Sequence, residues 1–143
     1  MHADSLESAI KRLQQKPMDI PPAYTSLMNC ALVVRRVKDN TTGQSTRRVI
    51  TISEIISSDE SHPAYSWDAR SDVFRENLDE SVLLKRMSEA TGKDVSELLE
   101  EHKRRVRILK WLVEQEVRDF RKVAEVVGKY YRDPQAILSQ LEA

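Results

Sequence analysis

Cysteine is nearly absent from this 143-residue sequence: Cys30, beside an apolar run, is the only one. A disulfide framework within the chain is thereby excluded, which suits a reducing compartment, and Cys30 itself reads as a small buried hydrophobe. Net charge is also missing, with 23 basic residues against 23 acidic ones. No global field therefore favours nucleic acid or an anionic surface. Glycine is scarce at three residues; of the two Gly-Lys pairs, Gly128-Lys129 has Val123 five residues before it and Tyr130 after it, which leaves Gly92-Lys93 to consider. A phosphate-cradling P-loop needs a glycine five residues before that pair and a Ser or Thr after it; Met87 and Asp94 occupy those places. Histidine is sparse. His2, His62 and His102 share no ligand spacing with one another or with Cys30, so no metal site is expected. His62 and His102 read as structural residues. No strand–Ser–helix elbow with flanking glycines is present, which argues against hydrolase chemistry. No apolar run is long enough to cross a bilayer, and no signal-peptide pattern or internal repeat is visible.

What is present is a run of punctuated elements. Leu6, Ala9, Ile10 and Leu13 recur at helical spacing, with Asp4 as the expected cap and Glu7 as its box partner. That helix should stop near Gln15, because Pro17 disfavours helix at Lys16. Pro22 fits the first position of a short helix reaching about Met28. The runs 30–38 and 45–57 read as an antiparallel hairpin around turn chemistry at 39–44. Ala31 to Val34 is apolar without alternation, so both faces of that strand are expected to be covered. On the returning strand, alternation puts Arg48, Ile50, Ile52 and Glu54 on one face. Residues 58–63 read as a loop. Ala64 to Asp68 and Val73 to Arg75 form a second hairpin, with Trp67 and Phe74 as cross-strand neighbours.

The rest is helical. Asn77 or Asp79 should open a helix that Gly92 ends. Asp94, with Glu97, caps a second helix to about Glu114, whose inward stripe is Val95, Leu98, Leu99, His102, Val106, Leu109 and Leu112. Asp119 caps a third, with Phe120, Val123, Ala124 and Val127 inward. Asp133 caps a fourth, with Pro134 at its start and Ile137, Leu138 and Leu141 inward. The expected fold is α+β: an N-terminal helix, an antiparallel sheet of about four strands in two hairpins, and a C-terminal bundle of about four helices.

Two charged groups stand out. The run from His102 to Arg107 invites a nucleic-acid reading, but Glu100 precedes Arg104 and Glu101 precedes Arg105 by four residues. That is the favourable order for helical ion pairs, and a solvated, paired face is the better reading. Arg35 and Arg36 face Arg47 and Arg48 across the hairpin. They read either as a charged edge that resists aggregation or as inter-subunit or phosphate contacts.

Several stretches resemble one family. MHADSLESAIKRL is similar to the histidine box and following helix of type II/IV secretion-system ATPases, in the archaeal archaellum and pilus branch. LMNCALVVRRVKDNTTGQSTRRVITISEI, YSWDARSDVF, SVLLKRMSEATG and WLVEQEVRDFRKVAEVVGKYYRDP resemble the segments that follow it. The resemblance implies a hexameric parent with a RecA-like core that binds ATP and Mg. In it, residues 1–29 are the tail of the core, 30–76 the hairpins and 77–143 the helical bundle. His2 would be the nucleotide-sensing residue, and the four arginines would contact neighbouring subunits. The implied partners are the rest of the parent, its hexamer neighbours and a membrane platform protein; the implied place is the cytoplasmic face of the cell membrane, without insertion.

The resemblance departs at three points. The threonine that usually stands two residues before His2 is absent. So are both Walker motifs and the acidic box. Gln115-Glu116 stands where a glycine stop is usual, so the helix is expected either to kink tightly or to run on towards Asp119. The expectation is thus a non-catalytic fragment that binds no nucleotide alone and transmits nucleotide state to subunit movement. The competing readings are a stand-alone helical interaction module and a nucleic-acid adaptor built on Arg104 and its neighbours.

Overall fold

The computed structural model describes residues 3–38 and 43–141. The element order is α1 (Leu6–Gln14), α2 (Pro22–Thr25), β1 (Cys30–Lys38), β2 (Ser45–Ile55), β3 (Ser61–Asp68), β4 (Val73–Glu76), α3 (Val82–Thr91), α4 (Val95–Glu114), α5 (Phe120–Arg132) and α6 (Pro134–Leu138). This is the expected α+β fold. It divides into two compact units, Met1–Ala90 and Thr91–Ala143. The expected turn at 39–44 lies largely outside the described residues.

In the first unit, α1 is capped one residue later than expected. Ser5 Oγ accepts from Ser8 N–H, and Ser8 Oγ accepts from Ser5 N–H, both at 3.1 Å. A hydroxyl pair thus replaces the Asp4–Glu7 box. The shift frees Glu7 for Lys11, four residues on at 2.7 Å, and turns Ile10 into the core. Pro22 opens α2 as expected, but the α-helix ends at Thr25. Only i to i+3 bonds carry the turn to Leu27 and Met28, because the chain must straighten into β1.

The four strands form one antiparallel meander in the order β1-β2-β3-β4. Trp67 and Phe74 face each other as expected. Residues 58–63 are not all loop: Ser61, His62 and Pro63 pair with Ile55, Glu54 and Ser53. The turn is confined to 56–60, where Ile56 and Ser57 N–H both donate to the Glu60 carbonyl. Two bulges reset the register. Val33 pairs with Thr51 but Val34 with Val49, so Ile50 is the extra residue. Ile52 pairs with Tyr65 but Ser53 with Pro63, so Ala64 is the second. A bulge reverses the facing of every residue beyond it. Arg48 therefore lies on the face of Thr51 and Ser53, not with Ile52 and Glu54 as simple alternation predicts.

β1 is not covered on both faces. Ala31, Val33 and Val37 are half-buried, whereas Leu32 and Val34 are 56% and 53% exposed. Cys30 is exposed rather than buried. α3 ends as expected at Gly92, whose φ of +70° is the left-handed conformation that costs glycine least.

In the second unit Asp94 N–H donates to Glu97 Oε2 at 3.0 Å at the start of α4. Asp119 caps α5 by accepting from Arg121 and Lys122 N–H, and Asp133 caps α6 by accepting from Ala136 N–H. The core joins Ile108, Leu112, Tyr130 and Ile137, with Trp111, Val117, Val123, Val126, Leu138 and Leu141 packed around it. The expected inward stripes are partly rotated. Leu109 is 54% exposed and Phe120 75%, while Ile108 and Tyr130 are buried. Ala124 is exposed as well, and Val127 stands at the margin.

α4 stops without glycine. Glu116 has φ of +54°, its N–H donates to the Val113 carbonyl, and Val117 N–H reaches back to Leu112. This is the paired-bond helix stop that glycine usually supplies, here carried by glutamate. A side chain at left-handed φ costs about 1 kcal/mol or more, offset in part by the freedom glycine adds to the unfolded chain. Glu116→Gly should therefore raise stability by about 0.5 kcal/mol. A urea midpoint that falls in this variant would rule out the left-handed stop.

Candidate functional site

The arginine hairpin contains like charges in direct register. Arg35 pairs with Arg48 and Arg36 with Arg47 across β1 and β2. Like charges directly opposite destabilise a ladder unless each finds a partner. On one face both do. The Arg35 guanidinium donates to the Asp4 carbonyl, with Nε at 3.0 Å and Nη2 adding a second bond. Arg48 Nη2 meets Asp72 Oδ2 at 2.7 Å. Asp72 occupies the β3–β4 turn at φ of +53° and also accepts from Trp67 Nε1 at 2.8 Å. Arg35 thus ties β1 to the start of α1, and Arg48 ties β2 to the outer hairpin. On the other face Arg36 and Arg47 are exposed and form no ion pair with another described residue. They sit beside the exposed Leu32 and Val34.

His2 lies outside the described residues. His62 is structural: with Nε2 as the donor, it bonds the Asn77 carbonyl at 2.8 Å. His102 is half-buried on α4. Among the described residues, no cluster of three or more His, Cys, Asp or Glu side chains is arranged to hold a metal ion. No helix among them is long and apolar enough to cross a membrane.

Two carboxylates act as joints: Glu54, which sequence reasoning did not single out, and Glu101, which it read only as an ion-pair partner of Arg105. Glu54 is 5% exposed at the end of β2. Its Oε1 accepts from Ser81 Oγ at 2.5 Å. Its Oε2 accepts from the backbone N–H groups of Val82 at 2.7 Å and Leu83 at 3.2 Å. Ser81 Oγ in turn accepts from Leu84 N–H at 3.0 Å. The first turn of α3 is therefore capped by a residue of the sheet, and neither Asn77 nor Asp79 opens it. The signal in the sequence was a lone glutamate in the apolar run ITISEII.

Glu101 is the joint of the second unit. It accepts from Tyr130 Oη at 2.8 Å and from Arg105 Nε at 2.8 Å, and it forms an ion pair without a hydrogen bond to Arg104 Nε at 3.3 Å. Burial pushes the Glu101 carboxyl up, but the Tyr130 and Arg105 bonds and the nearby guanidinium charges outweigh it and hold the group below its ordinary value. Burial first, then the bond to Glu101, pushes the Tyr130 phenol up. The Arg105 guanidinium also lies 5.5 Å from the centre of the Tyr131 ring. The Glu101–Arg105 pair is as expected. Glu100 instead takes Lys103 at 2.7 Å, because Arg104 turns to the shared hub at Glu101.

The described features define a class: an α+β module in which buried or half-buried carboxylates fasten helix ends and helix pairs. The family model described as PilB3-like, C-terminal, matches residues 70–143, just over half of the chain. The chain belongs to that PilB3-like C-terminal family. Similar proteins occur in Methanocaldococcus jannaschii. Uncharacterized protein MJ0781 is 25% identical over 99% of the chain and 20% of its own length. Uncharacterized protein MJ1287 is 31% identical over 77% of the chain and 42% of its length. Uncharacterized protein MJ0900 is 26% identical over 91% of the chain and 25% of its length. The chain thus spans between a fifth and somewhat under half of these relatives.

Proposed function

We propose that the chain is the C-terminal part of a hexameric ATPase that powers pilus or archaellum assembly or secretion, and that it passes nucleotide-dependent movement between subunits without catalysing hydrolysis itself. The observation that carries this reading is the match of residues 70–143 to the PilB3-like C-terminal family. The resemblance of the N-terminal stretch to a histidine box supports it. In this reading His2 senses the nucleotide, and ATP and Mg bind the parent's core. Movement received by α1 reaches β1 through Arg35, crosses the sheet, and reaches α3 through Glu54. A membrane platform protein receives it from the parent at the cytoplasmic face of the membrane.

Arg35 and Arg48 are engaged inside their own unit, so the inter-subunit contact is assigned to Arg36 and Arg47. These two sit exposed beside Leu32 and Val34 and have no ion partner among the described residues. The test uses the full-length parent. R36A/R47A should weaken hexamer assembly and lower ATP turnover by about tenfold, as loss of a charged interface contact does. The thermal midpoint should be unchanged, since exposed side chains contribute little to folding. Unaltered assembly would remove these arginines from the interface. His2→Ala in the same parent should reduce turnover with little loss of stability; a destabilised but fully active variant would make His2 structural.

A further inference from the structure

The helical unit carries an apolar surface that its own core does not use. On α4, Leu109 and Val113 are 54% and 72% exposed; on α5, Phe120 and Tyr131 are 75% and 66% exposed. Leu109 and Val113 are four residues apart on α4, and on α5 Phe120, the exposed Ala124, Val127 and Tyr131 follow at three- to four-residue spacing, so each forms a stripe. The stripes adjoin, because α5 runs back along α4. Tyr130 reaches Glu101, Arg105 lies over Tyr131, and Leu109 with Val127 lines a cleft of about 150 Å³ between the helices.

The flanks of this cleft carry more basic than acidic side chains. At helical spacing, Lys110 stands beside Val113 on α4 with Arg107 a step further round the helix, and Arg121 and Arg132 follow Phe120 and Tyr131 on α5. All four are exposed and none forms an ion pair with another described residue. Glu114 is the acid on the same flank of α4, and Glu125, four residues from Arg121, is the acid on that of α5. The run at Glu100 to Arg105 has three bases against two acids and is paired through Glu100 and Glu101, with Arg105 itself lining the cleft; the four rim residues lie outside those pairs.

We infer that the α4–α5 cleft is a docking groove for an acidic amphipathic helix of a partner protein. Apolar side chains of that helix at i, i+3 or i+4, and i+7 would fill the stripe between Leu109 and Tyr131, and its flanking carboxylates would meet Arg107, Lys110, Arg121 and Arg132. A cleft between two helices matches a helix better than a bilayer, which is met by a convex apolar surface. The rim supplies the choice of charge and the stripe the contact area. This inference stands apart from the ATPase reading, since it rests only on the surface of the second unit.

The test presents the full chain to a displayed library of 20-residue helices with a fixed apolar stripe and flanks randomised between Glu and Lys. Glu-flanked helices should be enriched, and the best of them should bind less tightly as salt rises. Val113→Glu should weaken that peptide by about tenfold, as loss of a groove anchor does. R107E/K110E should weaken it by about threefold and shift selection towards Lys flanks. Both sites are exposed, and an unchanged thermal midpoint keeps the comparison valid. Enrichment of Lys-flanked or charge-indifferent helices overturns the proposal, as does no enrichment at all. So does Val113-dependent pelleting with phosphatidylcholine–phosphatidylserine vesicles in preference to the peptide, or Val113-dependent dimerisation of the chain in the same concentration range.

Discussion

Glu54→Ala is expected to destabilise the first unit by about 3 kcal/mol, the scale of removing a buried ionic acceptor from several donors. The carboxylate is 5% exposed and both of its oxygens are used: Oε1 by Ser81, and Oε2 by the Val82 and Leu83 N–H groups. Alanine leaves the Ser81 hydroxyl, itself 2% exposed, without its acceptor. It also leaves two of the orphan N–H groups at the start of α3 unsatisfied. The carboxylate additionally complements the positive end of the α3 dipole. Glu54→Gln keeps one acceptor but brings an NH₂ group against existing donors, so it should lose about half as much, on the order of 1.5 kcal/mol. Ser81→Ala should cost about 1 kcal/mol, as ordinary cap removal does. Urea unfolding of the three variants gives the order Ala, Gln, then Ser81→Ala in severity. Amide exchange at Val82, Leu83 and Leu84 should rise in all three before the sheet's does. A Glu54→Ala variant within about 0.5 kcal/mol of the parent, the range of a neutral surface change, would mean that solvent satisfies these donors and that Glu54 is no joint.

Why the joint escaped the sequence is physical. The caps that were legible are local: Asp119 and Asp133 each accept from backbone groups two or three residues on, and Gly92 marks its own left-handed turn. Glu54 caps a helix 28 residues away, from a strand, and no local spacing encodes that contact. The two bulges were hidden for a related reason. Ile50 and Ala64 are ordinary strand residues, and the register is settled by how β1, β2 and β3 meet, not by the composition of β2. The assignment of Arg48 to the wrong face followed directly. On α5 the apolar residues cover more than one face, so periodicity admits two orientations. The structure selects the one that buries the Tyr130 ring, because its hydroxyl finds Glu101 across the helix pair. The stop at Glu116 was legible only as an anomaly, since glutamate carries no sign of a left-handed φ. Strand and helix boundaries elsewhere matched closely. β1 begins and ends where its apolar run and the turn chemistry after it placed it, and α4 runs from the residue after its cap to Glu114 as read.

The second large effect is expected at the joint of the helical unit. Tyr130 is 5% exposed and sits in the core cluster that joins α4, α5 and α6. Tyr130→Ala should cost about 4 kcal/mol, the range for emptying an aromatic site in a packed core. Tyr130→Phe separates the hydroxyl from the ring. It removes the 2.8 Å bond to Glu101 and should cost about 1.5 kcal/mol, as for a hydrogen bond to a charged acceptor. Glu101→Gln also weakens the Arg105 and Arg104 contacts. In a double-mutant cycle, Tyr130→Phe and Glu101→Gln should couple by about 1 kcal/mol, because both remove the same bond. The pH dependence follows from the same geometry. The Glu101 carboxyl is held below its ordinary value in the folded state, so its ionised form is favoured by folding. That contribution is fully present above the unfolded carboxylate value of about 4.3 and is lost as pH falls through the lower folded value. Stability measured by urea unfolding from pH 6 downward should therefore fall on the acid side in the parent, and fall less in Glu101→Gln, which has no proton to take up. Parallel acid limbs in the two proteins, or a double-mutant coupling near zero, would show that Glu101 does not hold Tyr130 in place and that the helix pair is fastened by packing alone.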